Sequence, residues 1–121
     1  MSTDVLPRNF LRPCLLLLLR EQPAHGYELL ERLRTFGFAR DPGGLYRALR
    51  GLEQDGFVRS RWEPSAAGPD RRTYELTRRG MEELHAAAKA SAASRQALDI
   101  FLARYAEFVA LDRSRRVVHS T

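Results

Sequence analysis

The stretch GLYRALRGLEQDG, residues 44–56, sets a tyrosine and two arginines apart from a leucine stripe. Leu45, Ala48, Leu49 and Leu52 recur at i, i+3, i+4 and i+7, the spacing of one helical face, so they predict a helix with that face toward a core. Tyr46, Arg47 and Arg50 then point elsewhere. A phenol can donate to a phosphate, and a guanidinium offers a planar fork of donors that suits a phosphate or the O6/N7 edge of guanine. Gly43 and Gly44 stand just ahead of them, where small residues permit close backbone approach to an anion at a helix start. A second cationic cluster follows: Arg59, Arg61, Arg71 and Arg72 against Glu63 and Asp70, a net +2 over residues 59 to 72. Together these residues suit a polyanion.

The whole chain is compatible with that partner. Its 121 residues are 44% hydrophobic, enough for one domain with a modest core plus an appendage, and the formal charge is +5 with a pI near 10.1. Nineteen of the twenty cations are Arg, with Lys89 the exception. The longest apolar run, CLLLLL at 14–19, is far shorter than the roughly 20 residues of a membrane span and leads into REQP rather than a cleavage site. It predicts a core helix in a cytoplasmic protein without membrane association. Cys14 is the sole cysteine, so no intramolecular disulfide forms, and a small buried hydrophobe is the expected role. His25, His85 and His119 show no metal-ligand spacing, no nucleophile stands with a base, and no glycine-rich phosphate loop follows a strand, so neither a metal, nor a cofactor, nor an enzyme activity is expected.

The elements that must position these side chains are read from periodicity. Residues 8–20 predict a first helix whose regular part starts near Pro13. AHGYELLERLRTFG predicts a second, with Leu29, Leu30 and Leu33 inward, His25 at its start as a turn or cap residue, and Gly37 as its stop. RDPGG reads as a break, then the opening stretch forms a third helix ending at Gly56. FVRSRWE and RRTYEL alternate with period two and predict a hairpin around the loop PSAAGPD. Val58, Ser60 and Trp62 share one face, with Trp62 expected in the core; Arg72 and Tyr74 also share a face, which makes Arg71 the freer of the two arginines. Thr77 is placed to cap a last helix with no Pro or Gly from Met81 to about Leu111, continuous or jointed near AAAKASAAS. Helix, helix, helix, hairpin is the order of a winged helix-turn-helix, in which the third helix lies in the DNA major groove.

Three segments carry a family resemblance in this same order: LLLLLREQPAHGYEL, GGLYRALRGLEQDGFV and GPDRRTYELTRRGMEEL, covering roughly residues 12–84. With HGYEL, G-x-Y-x-x-L-x-x-L-E and an Arg-rich strand before LT-x-x-G, the chain resembles the PadR-like transcriptional regulators. Arg47 stands where that family often has Pro. The resemblance implies a mainly α fold with a small β-hairpin: a winged helix-turn-helix over 8–77 followed by a dimerisation helix over 78–112; the segments outside them, 1–7 and 113–121, are expected to be flexible tails. It implies a dimeric, sequence-specific DNA-binding regulator, more in keeping with a repressor released by an effector than with an activator. The DNA-binding set is Tyr27, Gly43, Gly44, Tyr46, Arg47, Arg50, Gly68, Arg71 and Arg72, the last three from the wing. The partners implied are double-stranded DNA bearing an inverted repeat and a second copy of the chain.

Leu84, Leu98, Phe101, Leu102, Tyr105 and Phe108 form an apolar stripe that needs a partner, and the resemblance implies a homodimer through it, often packed against the first helix of the other copy. Phe101, Tyr105 and Phe108 also suit a small-molecule effector pocket at that seam, although the last helix has no Trp, which the drug-stacking arrangement implied by the resemblance would want. Two alternatives belong to other classes: a winged-helix protein-interaction module without DNA binding, and a small-molecule carrier. The cationic surface of helix three and wing separates the first from a DNA-binding protein, and a pocket at the seam would mark the second.

Overall fold

The computed structural model describes residues 6–119. Helix α1 (Leu11–Glu21), strand β1 (Ala24–His25) and helix α2 (Gly26–Arg32) come first, and α2 tightens into a 3-10 turn over Leu33–Phe36. Helix α3 (Pro42–Gln54), strands β2 (Val58–Glu63) and β3 (Arg71–Leu76), and helix α4 (Arg78–His119) follow. The chain divides into two compact units, one through Ala87 and one from Ala88 onward.

In the first unit the leucine stripes meet. Cys14, Leu15, Leu16, Leu18 and Leu19 of α1 pack with Leu29, Leu30 and Leu33, with Leu45, Leu49 and Leu52 of α3, and with Val58 and Tyr74 of the sheet. Leu15, Leu29, Leu49 and Leu52 are fully buried, and truncating any one of them to Ala would cost about 2–5 kcal/mol. The Cys14 thiol is buried as expected, and burial pushes its pKa up to about 11.

The ends of the elements follow local chemistry. Gly37 (φ 92°) and Gly56 (φ 81°) take the left-handed conformation that stops the 3-10 turn and α3, where a side chain would be strained. The Thr77 hydroxyl accepts from the Gly80 amide at 3.0 Å, capping α4, and donates to the Gly56 carbonyl at 2.6 Å, which ties that cap to the turn after α3.

Several sequence expectations need correction. The sheet has three strands, in the order β1-β3-β2, all antiparallel: Ala24 and His25 pair with Tyr74 and Thr73, which makes a three-stranded sheet of the predicted hairpin. A two-residue strand is too short for its alternation to be read. Helix α3 starts at Pro42, so Pro42, Gly43 and Gly44 form its first turn instead of a break before it; proline has no amide to lose at that position. Helix α1 starts at Leu11, three residues after Arg8 and close to Pro13, near which its regular part is expected. Trp62 is 64% exposed, outside the core: the face it shares with Val58 is covered at the base of the hairpin and bare toward the tip. Leu84 packs against the core of the first unit, so the domain itself uses part of its apolar surface.

Helix α4 has no joint at the alanine run and continues to His119, so residues 113–119, expected as tail, are helical. Residues 1–5 of the expected N-terminal tail, and 120–121 of the C-terminal one, lie outside the described residues. In the second unit Leu98, Phe101, Leu102, Tyr105 and Phe108 are all exposed, at spacings of three and four along the helix. Among the described residues no helix is long and apolar enough to cross a membrane, and no group of His, Cys, Asp or Glu could hold a metal ion.

Candidate nucleic-acid interface

Helix α3 owes its placement to Asp41. Its carboxylate accepts from the Gly44 amide at 3.0 Å, and a Cβ on Gly44 would collide with that carboxylate. Gly44 is therefore explained by the cap. The Asp41 carboxylate also occupies part of the positive end of the helix, where the glycine pair alone suggests room for an outside anion. Gly43 is exposed, with Arg47 its nearest neighbour.

Leu45, Leu49 and Leu52 seat the helix in the core, leaving Tyr46, Arg47 and Arg50 on its exposed side. Tyr46 is not free-standing. Its ring lies so close to Gly26, the first residue of α2, that a Cβ there would overlap the phenol, with Cζ at 2.6 Å. A glycine at this crossing is what lets α2 and α3 approach with the tyrosine between them.

Tyr46 forms one wall of a groove of about 820 Å³ running from the start of α2 to the wing. Tyr27 and His25 line it from the α2 side, and Trp62, Arg71, Arg72 and Tyr74 from the sheet. Four of the predicted site residues, Tyr27, Tyr46, Arg71 and Arg72, thus meet in one place. Arg47 and Arg50 lie on the exposed side of α3 without lining it. Gly68 sits in the exposed hairpin loop, in open space where a Cβ would meet no atom within 4 Å.

The arginines differ in what already holds them. Arg59 donates to Glu75 at 2.6 Å and Arg61 to Glu63 at 3.0 Å, so both wing cations are neutralised by neighbours; the Arg59 guanidinium in turn holds the Glu75 carboxyl below its ordinary pKa. Arg72 donates to Ser60 Oγ at 2.8 Å, lies 3.7 Å from Glu53 of α3 and places its guanidinium 5.5 Å from the Trp62 ring centre. Arg40 covers the Tyr27 ring at 5.6 Å. Arg71 lies 3.2 Å from His25 Nε2 and, having only hydrogens to offer, donates there when that nitrogen carries the lone pair. Among the described residues no carboxylate lies within ion-pairing distance of Arg47, Arg50 or Arg71. Burial raises the pKa of Tyr74, whose surroundings include Arg72, Glu53, Tyr46 and Arg50.

Sequence reasoning misses His25, Gly26 and Trp62 as parts of this surface. HGY marks a helix start, but nothing in its spacing reveals that a tyrosine twenty residues on will lie against the glycine. Alternation does place Trp62 on its strand face, and only the extent of the covering layer is not legible.

A family model described as the transcriptional regulator PadR-like family matches residues 15–86. No curated protein matches the chain. Among solved structures, a transcriptional regulator of Thermoplasma acidophilum is 30% identical, with 77% of this chain and 90% of that one covered at a TM-score of 0.67. A PadR family regulator of Eggerthella lenta is 28% identical over 78% and 83% of the two chains, with a TM-score of 0.71. PadR of Bacillus subtilis, in complex with operator DNA, is 26% identical; 65% of this chain and 46% of that one are covered, with a TM-score of 0.59. Helix order, winged sheet and a family match over most of the first unit lead to one conclusion: the chain belongs to the PadR-like family of transcriptional regulators, which are not enzymes.

Proposed function

We propose that this protein is a dimeric, cytoplasmic, sequence-specific DNA-binding regulator that acts as a repressor, with α3 in the major groove and the β2–β3 hairpin along the backbone beside it. The observation that carries this reading is the distribution of unpaired cations. Arg47 and Arg50 on the exposed side of α3, and Arg71 on the wing, have no carboxylate partner among the described residues, whereas Arg59 and Arg61 do. A surface that leaves cations unpaired next to exposed Tyr27 and Tyr46 suits phosphates and base edges more than solvent. The operator complex of the Bacillus subtilis relative supports the same partner class.

In this reading Arg47 and Arg50 read base edges, Tyr27, Tyr46 and Gly43 approach phosphates, and Gly68 and Arg71 track the backbone. Gly44 serves the cap, and Arg72 acts through its neighbours. The exposed stripe of Leu98, Phe101, Leu102, Tyr105 and Phe108 pairs two copies, each side chain contributing about 1.5–3 kcal/mol when covered. Two α3 helices about one DNA turn apart then read an inverted repeat, and occupancy of a promoter is enough to repress. The aromatic members of the stripe are where an effector would act on the dimer.

Selection of genomic fragments by the purified protein, followed by sequencing, tests the proposal. Recovery of a common inverted repeat is expected, bound at least a thousandfold more tightly than random duplex at physiological salt, the low end for specific regulators. Recovery of fragments without a shared motif would overturn sequence-specific reading.

A further inference from the structure

Trp62 is the largest apolar side chain bared on the groove side of the wing. Its position is set by register. Trp62 stands directly opposite Arg72, as Ser60 does opposite Tyr74 and Val58 opposite Leu76, so these six residues share one face of the sheet. From base to tip that face passes from buried Val58 and Tyr74 to exposed Trp62, where the covering elements end and the groove opens.

Trp62 is also held. The Arg72 guanidinium rests over its ring, and Arg72 is itself fastened to Ser60 and drawn toward Glu53 of α3. This chain of contacts spends a cation on orienting an indole toward solvent. An indole left wet forgoes the gain that covering it would bring, and a cation so engaged is a poor phosphate ligand. Both make sense if something apolar covers the ring.

We infer that Trp62 is a DNA-contacting residue of this regulator, packing its bare ring on the deoxyribose surface of the minor groove next to the wing, with Arg72 as the positioning residue that holds it. The inference rests on the DNA-binding reading above and adds a contact made without charge. Sugars in the minor groove offer apolar C–H surface flanked by phosphates, and the groove supplies an aromatic face from Trp62 and, from Arg71, a cation that contacts His25 but no carboxylate among the described residues, although Asp70 also lines the groove. Such a contact adds affinity independent of base identity and of salt.

Trp62 is the only tryptophan, so its emission reports on this site alone. On saturating the whole 121-residue chain with its selected operator, the emission should shift to the blue and acrylamide quenching should fall. Trp62→Ala should weaken operator and random duplex alike by about tenfold, what covering on the order of 55 Å² of ring supplies at ~25 cal/mol per Å². The slope of log affinity against log salt should stay unchanged. Trp62→Phe should retain most of the affinity. Arg71→Ala, by contrast, should lower the slope by about 0.9.

Arg72→Ala should act through Trp62: it should raise acrylamide quenching in the free protein and lose little further affinity in the Trp62→Ala background. An unchanged emission and quenching in a saturated complex would overturn the assignment while leaving DNA binding standing. A salt slope reduced by Trp62→Ala, or loss of self-association in that variant, would overturn it as well, the latter by giving the ring to a second copy. Failure of the unmodified protein to bind any duplex would remove the DNA-binding reading and this contact together.

Discussion

Replacing Gly26 by Ala puts a methyl group where the Tyr46 ring now lies. Ring atoms at 2.6 and 2.7 Å from that carbon must retreat to about 3.5 Å, a displacement on the order of 1 Å. Tyr46 is 44% exposed, so it has room to swing outward, and the cost is the burial it gives up. About 100 Å² of aromatic surface lies covered, given the 150–250 Å² that such a side chain can bury. At ~25 cal/mol per Å² complete loss would be about 2.5 kcal/mol, and a partial retreat about 1–2 kcal/mol. Against this, alanine is the better helix residue by up to about 1 kcal/mol, less at the first position of a helix. Gly26→Ala is therefore expected to destabilise the protein by roughly 1 kcal/mol and to weaken operator binding, because Tyr46 leaves its place in the groove. In a Tyr46→Ala background the same change should be neutral or stabilising. The assay is urea unfolding followed by circular dichroism for the four proteins of that cycle, at one fixed protein concentration, since the stability of the proposed dimer would depend on it. Equal destabilisation by Gly26→Ala in both backgrounds would refute the argument, because the methyl group would then be meeting something other than Tyr46.

Arg47→Ala or Arg50→Ala should cost about 1–3 kcal/mol on the selected operator and much less on scrambled duplex at the same salt, with folding intact because neither side chain enters the core; equal losses on both duplexes would make them phosphate contacts. Leu102→Asp combined with Tyr105→Asp should convert a dimer at micromolar concentration into monomer or unfolded chain, as read by sedimentation, and a folded monomer of the unmodified protein would end the dimer proposal. Cys14 should resist thiol reagents at pH 8 until the protein unfolds, because burial keeps the thiol protonated; its folded pKa of about 11 lies above the ordinary 9.0, so the neutral thiol's contribution is intact below pH 9 and stability should fall as pH rises from 9 toward 11. Reaction with a disulfide reagent in the native state would contradict that burial.

The helices, their inward faces and the hairpin are legible in the sequence because they rest on local periodicity: Leu45, Leu49 and Leu52 must share a side once the segment is helical, and Val58 and Trp62 must share one once it is extended. The same logic places Tyr46, Arg47 and Arg50 on the outside of α3, and Thr77 at the start of α4, since a cap acts within three residues. What periodicity cannot carry is distance between segments. That Gly26 receives Tyr46, that His25 sits beside Arg71, that Arg59 is silenced by Glu75 while Arg71 is not, and that the cover over the sheet stops before Trp62 all depend on elements far apart in the chain. A residue type and its neighbours determine which face a side chain takes; only the packing of other elements against that face decides whether it is buried, paired or left open to a partner.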